Sequence, residues 1–177
     1  MTGLILRPLV AAAILYLVLI QPNHPDAMTW GALLAFPLEW PVILLGLMAL
    51  GKSRGGTALR IVLVAVLVLI AVLKAADFAM FSALSRGFNP VSDLALVEAG
   101  ARLLTGAVGP VLAILALVSA VVVICAVCAL LWWSTGVWAS MGPRQRLFRG
   151  LTGGAALLSA GVAAAEFGGS LGRWHLP

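Results

Sequence analysis

The sequence predicts an all-α integral membrane protein, a five-helix transmembrane bundle with one amphipathic interfacial helix on the outer side of the membrane. Three observations lead to this fold class. Of the 177 residues, 63% are hydrophobic and only 10% are charged, and the mean hydropathy is +1.13. Soluble domains are about 45–50% apolar and about 25% charged, so this chain has too few charges for a water-facing surface. The apolar residues also form long runs, and the basic residues gather in the short segments between those runs.

Five apolar runs have the length of a membrane span, which needs about 20 residues to cross about 30 Å of hydrocarbon. The predicted spans cover approximately residues 4–20, 30–50, 59–84, 110–133 and 147–167. The first run is not followed by the small-residue pattern of a signal-peptide cleavage site, so we expect it to remain as a span. Pro37 and Pro41 kink the second span, whereas Pro110 suits the first turn of the fourth, where no N–H is needed. Residues 1–177 are therefore predicted to form a single transmembrane domain.

The basic residues predict the orientation, because Lys and Arg are enriched in cytoplasmic loops. The predicted spans place seven of them on one side: Arg7, Lys52, Arg54, Arg60, Arg144, Arg146 and Arg149. Three lie on the other side: Arg86, Arg102 and Arg173. The bias toward Arg, Ala, Val and Leu is typical of GC-rich bacterial genomes. We therefore predict a protein of the bacterial inner membrane, with a cytoplasmic N-terminus and a periplasmic C-terminus. Trp132, Trp133 and Trp138 would form the aromatic belt at the cytoplasmic interface.

A shorter amphipathic segment, about residues 90–104, separates the third and fourth spans. Asn89 and Pro90 are typical of a helix N-cap and of a first helical residue. Glu98 and Arg102 are four residues apart, so they can form an ion pair on one helix face. The segment is too short and too polar to span the bilayer, and we expect it to lie on the outer membrane surface.

Three charged residues fall inside the predicted spans: Glu39, Lys74 and Asp77. A charge that faces lipid costs up to about 3 kcal/mol on insertion scales, so such residues usually face the bundle interior and have partners. Lys74 and Asp77 share a helix face, and Glu39 lies at an overlapping depth in the neighbouring span. We interpret the three residues as an intramembrane polar cluster in which the charges pair. Two alternatives remain: an outer-leaflet site for a lipid headgroup or an ion, and side chains that extend to the interface.

Residues that could support catalysis or bind a metal are scarce. Cys125 and Cys128 form a C-x-x-C pattern, but they lie mid-span without a second ligand pair, so we interpret them as packing residues. His24 and Asp26 are too few for a metal site. We predict no catalytic residue, no metal and no cofactor. Nucleic-acid binding is not expected either, because no basic patch is interleaved with stacking aromatic residues.

The stretch "VLKAADFAMFSALSRGFNPVSDLALVEAG", residues 72–100, resembles a segment of bacterial sulfatase-like membrane proteins of the alkaline-phosphatase superfamily. The similarity rests on the Lys74/Asp77 pair, on "RGFNP" at residues 86–90, on "SDL" at residues 92–94, and on the glycine before the fourth span. The resemblance implies a multi-span membrane domain followed by a periplasmic hydrolase or phosphoglycol-type transferase domain.

Catalysis in that family uses a metal-bound Ser, Thr or modified Cys with Asp and His ligands, and sulfatases proper have a C/S-x-P-x-R motif. The nearest string in this chain is "SMGPRQR" from Ser140. Its spacing is different, and it lies on the predicted cytoplasmic side. We therefore expect the periplasmic catalytic half to be absent from these residues, and we carry over no activity.

The leading functional prediction is a non-catalytic, membrane-embedded anchor or scaffold domain, like the membrane half of sulfatase-like proteins. The alternative is an accessory transmembrane subunit that packs on partner helices of a larger respiratory or photosynthetic complex. Gly150, Gly154 and Gly161 of the fifth span suit close helix packing, and the first two have G-x-x-x-G spacing. The expected partners are the lipid bilayer and other membrane-protein helices. A small transporter is less favoured, because the sequence has no internal repeat and no matched pair of broken helices.

Overall fold

The computed structural model describes residues 2–22, 37–142 and 146–172. Within these residues the chain is all-helical and has no strand, which confirms the predicted α class. The helices are α1 (Thr2–Ile20), α2 (Glu39–Leu50), α3 (Arg54–Leu84), α4 (Leu94–Val108), α5 (Pro110–Ser140) and α6 (Arg146–Gly172).

Two of these helices, α3 and α5, are long and apolar enough to cross a membrane. Each has 31 residues, and a helix of that length extends over about 46 Å, which exceeds the hydrocarbon thickness of about 30 Å. Shorter apolar helical stretches cover Leu6–Ile20, Glu39–Leu50 and Gly150–Ala165. The two long apolar helices are compatible with a membrane location.

The directions of the helices follow from contacts at their ends. Arg60, near the start of α3, hydrogen-bonds the carbonyl of Trp132 near the end of α5, so these two helices are antiparallel. Arg7 of α1 lines the same cavity as Arg60, and Lys74 of α3 reaches the carbonyl of Leu19 at the other end of α1. Helices α1 and α3 therefore run in the same direction.

Helix α2 is antiparallel to α1, because Lys52, just after the end of α2, lines the cavity with Arg7, whereas Trp40, near its start, contacts Tyr16. Helix α6 packs along α2 in the opposite direction, since Gly153 near the start of α6 faces Ala49 near the end of α2.

A small apolar core forms where α1, α2, α3 and α5 meet. Its buried residues are Ala12, Leu15, Leu44, Val64, Leu67 and Leu131. The indole N–H of Trp40 donates a 3.0 Å hydrogen bond to the carbonyl of Ala12, and the Trp40 ring packs edge-on against Tyr16. The core thus combines aliphatic packing with one interhelical hydrogen bond.

Beyond this core, the N-terminal half of α5 is apolar and exposed on all sides. Val111 is 69% exposed and Leu117 is 67% exposed, and no residue in the most apolar window of this helix is buried. Helix α3 also exposes large apolar side chains, among them Ile61 and Val62. Contiguous apolar surface of this extent is rare on monomeric soluble proteins and marks a surface that lipid or another protein covers.

Helix starts differ from the sequence-based bounds for identifiable reasons. Helix α3 begins at Arg54, ahead of the predicted residue 59, because the Ser53 hydroxyl caps it by accepting from the N–H of Gly56 at 3.0 Å. The turn before it uses Gly51 at φ 57°, a conformation that favours glycine. A side chain at Gly56 would collide with the carbonyl of Gly51, so the second glycine permits the close approach of the turn to the helix.

Helix α4, which the sequence predicts to be interfacial, begins at Leu94 and not at residue 90. The side-chain oxygen of Asn89 accepts from the N–H groups of Val91 and Ser92 at 3.0 and 3.3 Å, so Asn89 does cap a turn. That turn ends at Asp93, whose N–H donates to the carbonyl of Asn89 at 2.8 Å. The helix then continues to Val108 and stops at Gly109. Asn89 is therefore a capping residue, as predicted, but it caps the turn that precedes the helix and not the helix itself.

Candidate functional site

Lys74 lies in the C-terminal half of α3 and contacts the end of α1. Its ammonium group donates a 3.0 Å hydrogen bond to the carbonyl of Leu19. Leu19 belongs to the last turn of α1, where carbonyls have no partner within the helix and carry the negative end of the helix dipole. Lys74 therefore stabilises the C-terminus of α1 and ties that helix to α3.

Asp77 lies one turn further along α3 and binds the loop that follows this helix. Its carboxylate accepts a 2.7 Å hydrogen bond from the backbone N–H of Phe88. A hydrogen bond donated to a charged acceptor is shorter and stronger than one between neutral groups. Asp77 thus holds the loop of residues 85–93 against the helix from which it emerges.

Glu39, the first residue of α2, completes the predicted polar cluster. It is close enough to Lys74 for charge attraction. Among the described residues, however, no ion pair within 4 Å joins Lys74 to Glu39 or to Asp77. This corrects the predicted direct pairing: the three residues lie in the same region, but Lys74 and Asp77 each bind a backbone group instead of each other.

The strongest ion pair of the described chain was not predicted from the sequence. Arg86 and Asp93 form a bidentate salt bridge, in which Nη1 lies 3.0 Å from Oδ2 and Nη2 lies 2.8 Å from Oδ1. Asp93 is only 3% exposed and also accepts from the backbone N–H of Asn89 at 2.8 Å. The Arg86 guanidinium and the Asn89 N–H hold the pKa of Asp93 below its ordinary value. The only sequence signal for this pair is an Arg and an Asp on either side of an Asn-Pro turn.

The predicted ion pair between Glu98 and Arg102 is present on α4. Arg102 Nη2 lies 2.6 Å from Glu98 Oε1, and the two side chains are 79% and 74% exposed. Because exposed pairs of this kind contribute only about 0–1 kcal/mol, its main consequence is a polar face on an otherwise apolar helix.

The predicted helix-packing glycines of α6 do not contact the other helices that the structure describes. A Cβ atom at Gly150, Gly154 or Gly161 would meet no described atom within 4 Å. Gly153 is the glycine that faces α2, since a Cβ there would lie 3.9 Å from the Cβ of Ala49. The α2–α6 contact therefore uses the glycine next to the predicted motif, and the motif itself is open.

A cavity of about 870 Å³ opens at the end of the bundle opposite Lys74. It lies between the start of α1, the α2–α3 connection, the first turns of α3 and the last turns of α5. The residues that line it include Arg7, Lys52, Arg60, Trp132, Trp133 and Ser140. No acidic residue of the described chain lines it. The sequence predicted these three cations and two tryptophans to share one membrane interface, but it did not predict that they enclose a cavity.

Arg60 is the cation of this cavity that the described residues hold in place. Its guanidinium lies 4.1 Å from the ring centroid of Trp132, in cation–π geometry. Nη2 donates to the carbonyl of Trp132 at 2.8 Å, and Nε points to the hydroxyl of Thr135 at 3.4 Å. A Cβ at Gly136 would lie 2.8 Å from Nη2, so the absence of a side chain there makes room for the guanidinium. Nη1 has no acceptor among the described residues and remains available to a ligand.

The described residues contain no group of three or more His, Cys, Asp or Glu side chains that could hold a metal ion. Cys125 and Cys128 are free thiols, and both are exposed on the surface of α5. His24 and Asp26 lie outside the residues that the structure describes. The chemistry that the described cavity offers is the binding of an anion by cations, of which Arg60 is held in place.

No protein-family model matches this chain, and comparison with curated proteins and with solved structures gave no similar protein.

Proposed function

We propose that this chain is a five-span bundle of the bacterial inner membrane that serves as a non-catalytic anchor or scaffold. The observation that carries the proposal is the exposed apolar surface that continues over the two 31-residue helices α3 and α5. Such a surface is stable in hydrocarbon and aggregates in water. A rigid apolar bundle with its cations at the helix ends is suited to holding an attached domain at the membrane.

Two further observations support five spans. Helices α1, α3 and α6 run in one direction and α2 and α5 in the other, as expected for successive crossings. Arg7, Lys52 and Arg60 line a cavity at one end, which is consistent with a single cytoplasmic face for these cations. The resemblance to the membrane half of sulfatase-like proteins also implies a multi-span bundle. The anchoring role of that membrane half is part of the proposal.

Reporter fusions test the five-span topology. A phosphatase that is active only in the periplasm should be active when fused after Pro177 and inactive when fused after Gly142. A fluorescent protein that matures only in the cytoplasm should give the opposite pattern. Membranes washed with alkaline carbonate should retain both fusions. Equal activity at the two positions, or release by carbonate, would refute the five-span bundle.

The non-catalytic role is tested with the purified chain in detergent. We expect no hydrolysis of sulfate or phosphate esters, with or without added divalent metal. Turnover that co-purifies with the chain through two different separations, and that a point substitution in the chain abolishes, would contradict the anchor role.

An accessory subunit of a larger membrane complex is a second candidate function. It is favoured by the open glycine face of α6 at Gly150, Gly154 and Gly161, which would allow close approach of a partner helix. Light scattering of the gently solubilised chain separates the two candidates. An anchor should elute with the protein mass of this chain, whereas a subunit should elute with one partner at fixed stoichiometry.

A further inference from the structure

Among the residues that the structure describes, the lining of the cavity at the Arg60 end contains three positive charges and no carboxylate. Arg7 and Lys52 are exposed, and neither forms an ion pair within the described chain. The four carboxylates whose side chains are described, Glu39, Asp77, Asp93 and Glu98, do not line the cavity. Three like charges around one space repel one another, so an anion bound between them would stabilise the arrangement.

Arg60 gives this space the geometry of a phosphate site. Its stacking on Trp132 and its bond to the Trp132 carbonyl fix the guanidinium plane, and Nη1 keeps its donors free. A planar guanidinium binds phosphate oxygens through paired N–H donors, which a single ammonium cannot do. The volume of about 870 Å³ lies within the range of about 300–1,000 Å³ that is typical of small-molecule pockets.

The tryptophans indicate which source of phosphate fits best. Trp132 is 42% exposed and Trp133 is 38% exposed, and both stand beside the cations where the apolar length of α5 ends. Tryptophan is enriched at the level of lipid headgroups, and basic pockets between membrane helices bind phosphate-bearing headgroups. Leu130, two residues before Trp132 in α5 and 48% exposed, offers apolar surface to an acyl chain.

We propose that this cavity binds the phosphate group of an anionic phospholipid, with Arg60 as the oriented ligand and Arg7 and Lys52 as further positive charges. The site holds a headgroup at the membrane surface while the acyl chains lie along the exposed faces of α3 and α5. The inference rests on membrane insertion, which it shares with the proposed function, but it does not depend on the anchoring role.

The test uses the full chain in nanodiscs of phosphatidylcholine that contain increasing fractions of phosphatidylglycerol. Native mass spectrometry counts the anionic lipids that stay bound after release from the disc, and tryptophan fluorescence follows their binding. We expect saturable retention of phosphatidylglycerol, which millimolar inorganic phosphate does not displace. Saturable binding of inorganic phosphate without lipid retention would overturn the lipid as ligand, and retention of neither would overturn the site.

Matched variants locate the binding. Arg60→Gln should weaken retention about five- to tenfold, as expected for the loss of one close cation. Arg54→Gln removes an exposed charge from the same end of the chain but not from the cavity, and it should leave retention unchanged. Equal losses in the two variants would indicate diffuse attraction and would refute the cavity.

Gly136→Ala gives a sharper test because it keeps every charge. The added methyl group would lie too close to Nη2 of Arg60, so the guanidinium must shift from its position beside the Trp132 carbonyl. Retention should fall nearly as far as in Arg60→Gln, while circular dichroism and elution volume stay unchanged. Lys52→Gln, at an exposed loop position, provides a second loss of charge without a risk to folding. Full retention in both variants would refute the site, whereas failure to enter nanodiscs at all would instead contradict membrane insertion.

Discussion

At the scale of single residues, Lys74 connects two helices that are far apart in sequence. Its ammonium group satisfies the Leu19 carbonyl in the last turn of α1. The Leu19 carbonyl is partly buried, and a buried carbonyl that loses its donor costs about 1–3 kcal/mol. We therefore expect Lys74→Ala to lower the free energy of unfolding by about 1–3 kcal/mol, measured by thermal unfolding in detergent. Lys74→Arg keeps a donor and a charge and serves as the control.

A double-mutant cycle with Glu39→Gln separates this bond from the ion pair that the sequence predicted. Because Lys74 and Glu39 form no ion pair within 4 Å, their coupling should stay below about 0.5 kcal/mol. Coupling well above this value would show that the two charges meet. Equal stability of Lys74→Ala and Lys74→Arg would show that the bond to α1 contributes nothing.

At the scale of elements, the loop between α3 and α4 depends on one buried carboxylate. The salt bridge to Arg86 and the Asn89 N–H hold the pKa of Asp93 below its ordinary value. The unfolded chain therefore binds the proton first as the pH falls, and the stability that the ionised group contributes is lost as the pH drops through the folded-state pKa. We expect thermal stability to be level near pH 7 and to decline below about pH 4, the ordinary range of a carboxyl group.

The variant Asp93→Asn isolates this effect. It should be less stable than the wild type at pH 7, and its stability should change less between pH 7 and pH 3. Glu98→Gln removes a carboxylate from an exposed pair and should reproduce neither change. Identical pH profiles of the wild type and Asp93→Asn would show that another group controls the acid transition.

The contact between α2 and α6 gives a prediction at adjacent glycines. Gly153 faces Ala49, whereas Gly154 has open space around it. Gly153→Leu should force the helices apart and cost about 1–3 kcal/mol, as overpacking does. Gly154→Leu should leave the unfolding temperature unchanged or slightly raised, since leucine is the better helix former. Both variants are measured by thermal unfolding in detergent. If Gly154→Leu lowered the unfolding temperature more than Gly153→Leu, the face of α6 that contacts α2 would be misassigned.

Gly153 and Gly154 also show why the sequence predicted the positions of the helices better than it predicted which helix faces are in contact. Composition was enough to predict an all-α chain and the cores of α3 and α5, because only long helices can bury so many consecutive apolar residues. In a soluble helix, polar residues mark the outer face. In α6 and α5 both faces are small or apolar, so the sequence could not distinguish Gly153 from Gly154. Nor could it predict that Lys74 and Asp77 bind backbone groups, because those acceptors and donors belong to every residue.

At the scale of the whole molecule, the polar contacts divide between the two ends of the described bundle. One end holds Lys74, Asp77 and the Arg86–Asp93 loop, and the other holds the cavity of Arg60. Between them, the long helices expose mostly aliphatic side chains. This distribution matches two interfaces on either side of a hydrocarbon layer, and it makes the middle of α5 the most informative place to test for lipid.

Cys125 and Cys128 provide that test, because they are exposed free thiols, about 22 and 27 Å along α5 from Pro110. In nanodiscs that contain only this chain, lipid should cover both thiols. A charged maleimide should therefore not react with them, since the reactive thiolate requires access to water. Both should react after denaturation in sodium dodecyl sulfate.

A single cysteine introduced by Lys52→Cys, with Cys125 and Cys128 replaced by Ala, is the matched control. It lies in the exposed α2–α3 connection at the cavity end, so it should react in nanodiscs. In intact spheroplasts the same cysteine should stay unlabelled, and in inverted membrane vesicles it should react, because the basic end is predicted to be cytoplasmic. Labelling of Cys125 and Cys128 in folded nanodiscs would place α5 in water and overturn the membrane bundle. Labelling of the Lys52→Cys variant from the outside would keep the bundle but invert its orientation, and the proposed lipid site would then lie in the periplasmic leaflet.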